Sequence, residues 1–499
     1  MKKFTLLLTL ICFTLQINFA QRYLEEVFTD VTVTPAIYGQ NATIAGLLFD
    51  PTVNEAVLRP LNAEIYTPDG DTETSRPAII LLHTGNFLPP VLNGGCGGTI
   101  GDADMVNLAT RLARKGYVAI VADYRIGWNP TDPDQQQRTF FLINAAYRGV
   151  QDARTCVRYL KRSVAEDNNP WGIDPDKIAM WGLGTGGYIT YGAATLNDVT
   201  DTFIPKFVTP SGPMVVESIN GDVEGTSVGV IPAGFPWPTP NDTLCYPNHV
   251  DYDSDFQLAV ASGGALGDTS WIDSDDVPII SFQVPTDPFA PCEADVLIVP
   301  GVNFAVVEVM GACLIHPIID ARGTNDIFNN ATWTDPFTAA ALASGGTNGF
   351  MPFLSNDPAE SAPWNFAFSS EPYGVADSDC PTDEAGAQIY VDSMLNFFCP
   401  RACLAMDLAC ETVSTQELDV QELGLTIQPN PAIDQVRFQT KEKPIESIYV
   451  YDFNGRLVKA HVNIDHNFFE MRRHNLPTGV YAAQLRFADG IVTQRVVFK

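Results

Sequence analysis

The chain is short of positive charge. Only 29 Lys and Arg stand against 59 Asp and Glu in 499 residues, a formal net charge of −30. A surface of that sign repels a phosphate backbone, so nucleic acid is not expected as a partner. Histidine is scarce as well: there are six in all, and before residue 415 only His83, His249 and His316. Cys399, Cys403 and Cys410 are spaced too widely for a CxxC pair and have no histidine nearby, so neither a metal nor another cofactor is expected. Asp251, Asp253 and Asp255 begin like a calcium loop. Phe256 and Ser262, however, hold the positions where that loop needs Gly and Glu. Long apolar runs are missing too. Val296 to Ile315 is broken by Pro300, Asn303 and Glu308 and reads as buried strand and turn, so no transmembrane helix is expected.

What is present starts with an address. Lys2 and Lys3 precede an apolar run from Phe4 to Thr14 that ends in Asn18-Phe19-Ala20, the pattern of a secretory signal peptide over residues 1–21. An exported chain can keep disulfides. Nine cysteines remain after residue 21, an odd number, so one or two bridges and at least one unpaired thiol are expected. From Thr415 onward ten acidic residues balance ten basic ones, and the whole charge excess lies before that point. That step marks a boundary. The expected organisation is a body over 22–410, a polar linker over 411–422 and a small module over 423–499.

The body alternates strands and helices. Residues 22–76 carry apolar alternation with turn signals at Tyr38-Gly39 and at Pro68-Asp69-Gly70-Asp71, an antiparallel β entry. Ala78–Leu82, Tyr117–Ala122 and Ile279–Gln283 are continuous apolar runs suited to buried strands. Helical periodicity covers Asp104–Lys115, Asn144–Val164 and Gly386–Phe398. Val302–Val309 reads as the last strand of the sheet, 214–276 as a loop-rich excursion and 316–380 as polar and irregular. This order predicts an α/β fold, a doubly wound sheet covered on both faces.

The stretch Ile178–Thr190, IAMWGLGTGGYIT, is the centre of that pattern. It reads as a strand, a glycine-packed turn and a helix start, the setting of G-x-S-x-G, in which a serine sits exposed on a strained elbow. Gly182 and Gly186 fit the outer glycines. The serine position is Gly184, which has no side chain to attack a carbonyl. Thr185 is the nearest hydroxyl.

Order and spacing over about residues 25–400 resemble the carboxylesterase branch of the α/β-hydrolase fold. "AEIYTPDGDTETSRPAIILLHTGNF" resembles its first hairpin and oxyanion loop, usually H-G-G-x-F, with Thr84 in place of the first glycine. "YVAIVADYRIGW", "AYRGVQDARTCVRYLKR" and "PIISFQVPTDPFAP" resemble its N-Y-R-L-G strand end, its A-x-x-D helix and the turn that delivers the acid. The resemblance implies oxyanion donors at Gly85, Asn86 and Thr185, an acid at Asp287 and a histidine at His316. With Gly184 at the nucleophile position, it implies a non-catalytic protein that binds a small molecule or polymer in the old cleft. The alternatives are an ester hydrolase using Thr185 with Asp287 and His316, or an adhesive surface protein.

The C-terminal module carries short alternating strands around Pro429-Asn430-Pro431, Asp452 to Gly455 and Leu476 to Gly479, a small β-sandwich pattern. PNP, a Y-D-x-x-G-R turn and L-P-x-G-x-Y together resemble the sorting domain of the type IX secretion system of Bacteroidota. That implies the type IX machinery as partner and a secreted or outer-membrane surface location, reached through the periplasm.

Overall fold

The structure, a computed structural model, describes residues 22–50, 52–93, 95–234, 240–299, 302–354, 361, 365–367, 384–410, 418, 420–452, 457–461, 464–474, 476–487 and 490–499. The signal peptide over 1–21, most of the linker and the Phe235-Pro236-Trp237-Pro238 segment lie outside the described residues. The chain divides into two compact units, Phe28–Leu408, and Ala409–Lys499 with the residues before Phe28.

The larger unit is built on an eight-stranded sheet. In chain order its strands are β1 (Val31–Thr43), β2 (Val57–Pro68), β3 (Arg76–Leu82), β4 (Val118–Ala122), β5 (Ile173–Leu183), β6 (Leu258–Ser262) and β7 (Ile279–Gln283). β8 (Ala294–Val299) and β9 (Phe304–Met310) form a separate antiparallel hairpin, and β10 (Phe350–Pro352) completes the sheet. The spatial order is β1-β2-β4-β3-β5-β6-β7-β10. β1 and β2 are antiparallel to their neighbours, and every pairing from β4 to β10 is parallel. Every residue of β3, β4, β6 and β7 is buried. These central strands are covered on both faces and need no polar alternation, so they read as unbroken apolar runs.

The helices that fix the site are α1 (Ala103–Arg114), α2 (Gln135–Glu166) and α3 (Thr185–Thr195). α4 (Ala312–Arg322), α5 (Pro336–Ala343) and α6 (Glu384–Ala405) follow the hairpin. Three expectations are corrected. Val302–Val309 is not a sheet strand; it belongs mainly to β9, whose partner is β8. The last sheet strand is β10. The region 316–380 is not uniformly irregular, for it contains most of α4, all of α5 and β10. Within the 214–276 excursion, Leu258–Ser262 is the buried strand β6 next to the elbow.

The rest of that excursion is pinned to α2. The Arg125 guanidinium pairs with Asp152 at 2.9 Å, both side chains essentially without solvent, and donates to the Leu244 carbonyl. Gln151 Nε2 donates to the Asn220 and Asp222 carbonyls, Tyr147 to Gly221 and Arg158 to Asn248. Arg154 and Arg158 both reach Glu224. These bonds satisfy irregular backbone that no sheet ladder would satisfy.

A disulfide joins Cys292 to Cys313 at the foot of the hairpin, Cys96, Cys403 and Cys410 are also disulfide-bonded, and Cys156 and Cys245 are buried free thiols. No helix among the described residues is long and apolar enough to cross a membrane.

The smaller unit is all-β. β11 (Thr426–Gln428), β12 (Gln435–Gln439) and β15 (Phe468–Arg472) form one sheet. β13 (Ser447–Tyr451), β14 (Leu457–His461), β16 (Gly479–Phe487) and β17 (Gly490–Phe498) form the other. Val436, Phe438, Ile448, Val450, Leu485 and Val496 share its apolar core.

Candidate functional site

The turn after β5 has the geometry of an elbow. Gly184 sits at φ 53°, ψ −116° between the strand and the first residue of α3. That conformation strains any residue with a Cβ. A Cβ on Gly186 would lie 2.7 Å from the Leu82 carbonyl carbon, so the helix can start this close to β3 only with glycine there. The turn is held by Gly184 N–H donating to the Ser262 carbonyl (2.7 Å) and Gly186 N–H to the His83 carbonyl (3.1 Å).

A side chain at position 184 would have no room. Its Cβ would overlap the Thr84 hydroxyl and lie 2.8 Å from the Thr84 Cβ. Thr84, where the related loop has glycine, fills the space beside the elbow that a serine would occupy. The two replacements, Thr84 and Gly184, meet in space although they are distant in sequence.

The loop after β3 is itself strained: Gly85, Asn86 and Phe87 all have positive φ, the last two at 56° and 54°. The strain is held by Trp128 Nε1 donating to the Asn86 carbonyl, Asn86 Nδ2 to the Asn93 carbonyl and Gly127 N–H to the Phe87 carbonyl. Gly85, Asn86 and Thr185 come together at the elbow. Asn86 N–H, the expected oxyanion donor, donates to Thr185 Oγ1 at 2.7 Å. His83 is buried and stacked on Tyr124, with Nδ1 2.5 Å from the Thr84 carbonyl and Nε2 3.2 Å from Asp123 Oδ1. Burial disfavours its charged form, but the hydrogen bond and charge of Asp123 outweigh that and raise its pKa.

Asp287 and His316 are placed apart in their bonding. Asp287 Oδ1 accepts from Phe289 and Ala290 N–H, and Oδ2 accepts from the Ser361 N–H and hydroxyl at 2.7 Å each. Burial raises its pKa against these bonds. His316 is in α4, fully buried, with its ring stacked on Phe350 and Nε2 2.7 Å from Ser281 Oγ, which in turn meets the Tyr191 hydroxyl. Burial pushes its pKa down to about 3, so the ring is neutral. Among the described residues, no hydrogen bond joins His316 to Asp287 or Thr185. Ser281 and Ser361, the partners of these two side chains, carry no sequence signal of that role.

Beside the elbow lies a cavity of about 280 Å³, bounded by the oxyanion loop, α2, α3 and the β8–β9 hairpin. Thr185 and Asn86 are on its wall. Among the described residues, no cluster of His, Cys, Asp and Glu is arranged to hold a metal ion.

Sheet order, crossover helices and a strained elbow at the end of β5 define an α/β-hydrolase fold, here followed by an all-β module. Comparison with known families agrees. Residues 96–216 match the dienelactone hydrolase family, and residues 426–499 match the secretion system C-terminal sorting domain. The chain thus carries a hydrolase-fold domain and a type IX sorting domain, which marks it as a secreted or cell-surface protein.

Among solved structures it is similar to Thermogutta terrifontis esterase 2 phosphorylated by paraoxon. The identity is 16% over 75% of this chain and 95% of that one, with a TM-score of 0.33. It is also similar to a bifunctional GH43-CE from Bacteroides eggerthii, at 12% identity over 74% of this chain and 36% of that one, with a TM-score of 0.34. No curated protein matches the chain.

Proposed function

We propose that this exported protein uses its hydrolase-fold domain to bind a ligand beside the elbow without hydrolysing esters. One observation carries the reading: Gly184 offers no nucleophile, and Thr84 fills the space where one would stand. In a hydrolase with an intact triad, losing the serine alone costs on the order of 10⁶ in turnover. The hydroxyl of Thr185 is no substitute on this reading: it accepts the Asn86 N–H, and among the described residues no His, Asp or Glu side chain is hydrogen-bonded to it. The neutral ring of His316 is engaged by Ser281. The sorting domain delivers the binding domain outside the cell.

The test is a fluorophosphonate probe on the secreted protein, read by mass spectrometry, together with p-nitrophenyl butyrate turnover. No adduct and no turnover above background is the expected result. An adduct on Thr185 or Thr84 with matching turnover defeats the proposal.

A further inference from the structure

We infer that the cavity under the β8–β9 hairpin is a binding site for uncharged apolar molecules and rejects their anionic counterparts. This rests on the reading that the cleft binds and does not hydrolyse. Among the described residues, the wall carries no Asp, Glu, Lys, Arg or His side chain. Its polar groups are a few neutral ones, among them Asn86, Thr185 and Tyr188, and two of them are already committed: Thr185 accepts from Asn86, and Tyr188 donates to the Phe289 carbonyl. At about 280 Å³ the space lies just below the range for drug-sized ligand sites, about 300–1,000 Å³, and suits a small ligand.

The hairpin gives an independent reason. It stands outside the main sheet, and it presents Leu297, Val299, Val306 and Val307 to the cavity. Arg138 donates to the Ala305 carbonyl at 2.9 and 2.7 Å, and Thr139 donates to Val306 at 2.8 Å, which fixes the hairpin against α2. Ile298, on the cavity wall, is also 44% exposed and marks the mouth. An anion moved inside would lose its water with no cation to replace it. It would also enter a domain that carries the whole acidic excess of the chain.

The test uses two probes with one aromatic frame, neutral N-phenyl-1-naphthylamine and anionic 8-anilino-1-naphthalenesulfonate, titrated into the full secreted chain. Salt is held at about 0.15 M, where exposed charges are screened beyond about 8 Å, leaving the local desolvation. The neutral probe is expected to saturate one site and to bind at least about tenfold tighter than the sulfonate. Ala146→Trp, on the α2 wall, is expected to abolish that binding. Ile298→Glu, at the exposed mouth, is expected to weaken it roughly tenfold and keeps the test alive if the first variant does not fold. Equal affinity for the two probes, no saturable binding, or unchanged binding in a folded variant overturns the inference. If the probe fails but no ester turnover is seen, only this inference falls. If a covalent adduct forms, the non-hydrolytic reading falls whatever the probe does.

Discussion

The Thr84 side chain stands where a side chain on Gly184 would have to go. Replacing Gly184 by serine alone therefore does not rebuild an esterase. Gly184→Ser adds a Cβ at positive φ, at a cost of about 1–3 kcal/mol, and drives it against Thr84. Thr84→Gly made together with Gly184→Ser removes the overlap. A double-mutant cycle in urea is expected to show a favourable coupling of about 0.5–3 kcal/mol between the two sites. Esterase activity is expected to stay at background in both. Additive stabilities would mean that the two side chains do not meet.

Asp287 is placed to fasten a turn. Its two oxygens accept four hydrogen bonds, two from Phe289 and Ala290 and two from Ser361. Asp287→Ala leaves those donors unpaired in a buried place, and a loss of about 2–4 kcal/mol in urea unfolding is expected. Asp287→Asn retains one acceptor oxygen and is expected to lose less. A catalytic acid with no fastening role would show no such ordering.

Much of this was legible from residues alone. Continuous apolar runs mark β3, β4 and β7 because strands buried on both faces need no alternation, and the glycine spacing marks the elbow. The strand β6 was hidden because Leu258–Ser262 is a short run inside a loop-rich stretch, and short apolar runs carry no period that separates strand from connection. Val302–Val309 was misplaced for a related reason: an apolar run states that a segment seeks cover, not which element covers it. The meeting of Thr84 with Gly184 spans a hundred positions and is fixed only by the pairing of β3 with β5. His316 stands at the start of a stretch that reads as polar and irregular, yet it lies on α4 and bonds Ser281.

Asp104 should make stability fall as pH rises. It is buried; desolvation first, then the charge of Asp102, pushes its pKa up to about 8 from 3.8. Between those values the folded chain holds a proton that the unfolded chain has released, so unfolding becomes easier with rising pH. Asp104→Asn keeps the neutral form at every pH. The difference between wild type and variant, measured by urea unfolding from pH 4 to pH 8, is expected to change by a few kcal/mol in the variant's favour as pH rises. A flat difference curve would mean Asp104 ionises normally in the folded protein.

His316 should act in the opposite sense at the acid end. Burial lowers its pKa from 6.5 to about 3, so between those values the unfolded chain takes up a proton that the folded chain refuses. Stability contributed by the neutral ring is present above pH 6.5 and is lost as pH falls towards 3. His316→Gln removes the titration, although it costs some packing against Phe350. The variant is therefore expected to be less stable than wild type at pH 8 and to close that gap progressively below pH 6. The narrowing of the gap separates titration from packing, because lost packing alone would shift the whole curve by a constant amount. A wild-type ring bonded to a carboxylate, as a triad would require, would instead gain stability on protonation and widen the gap in acid.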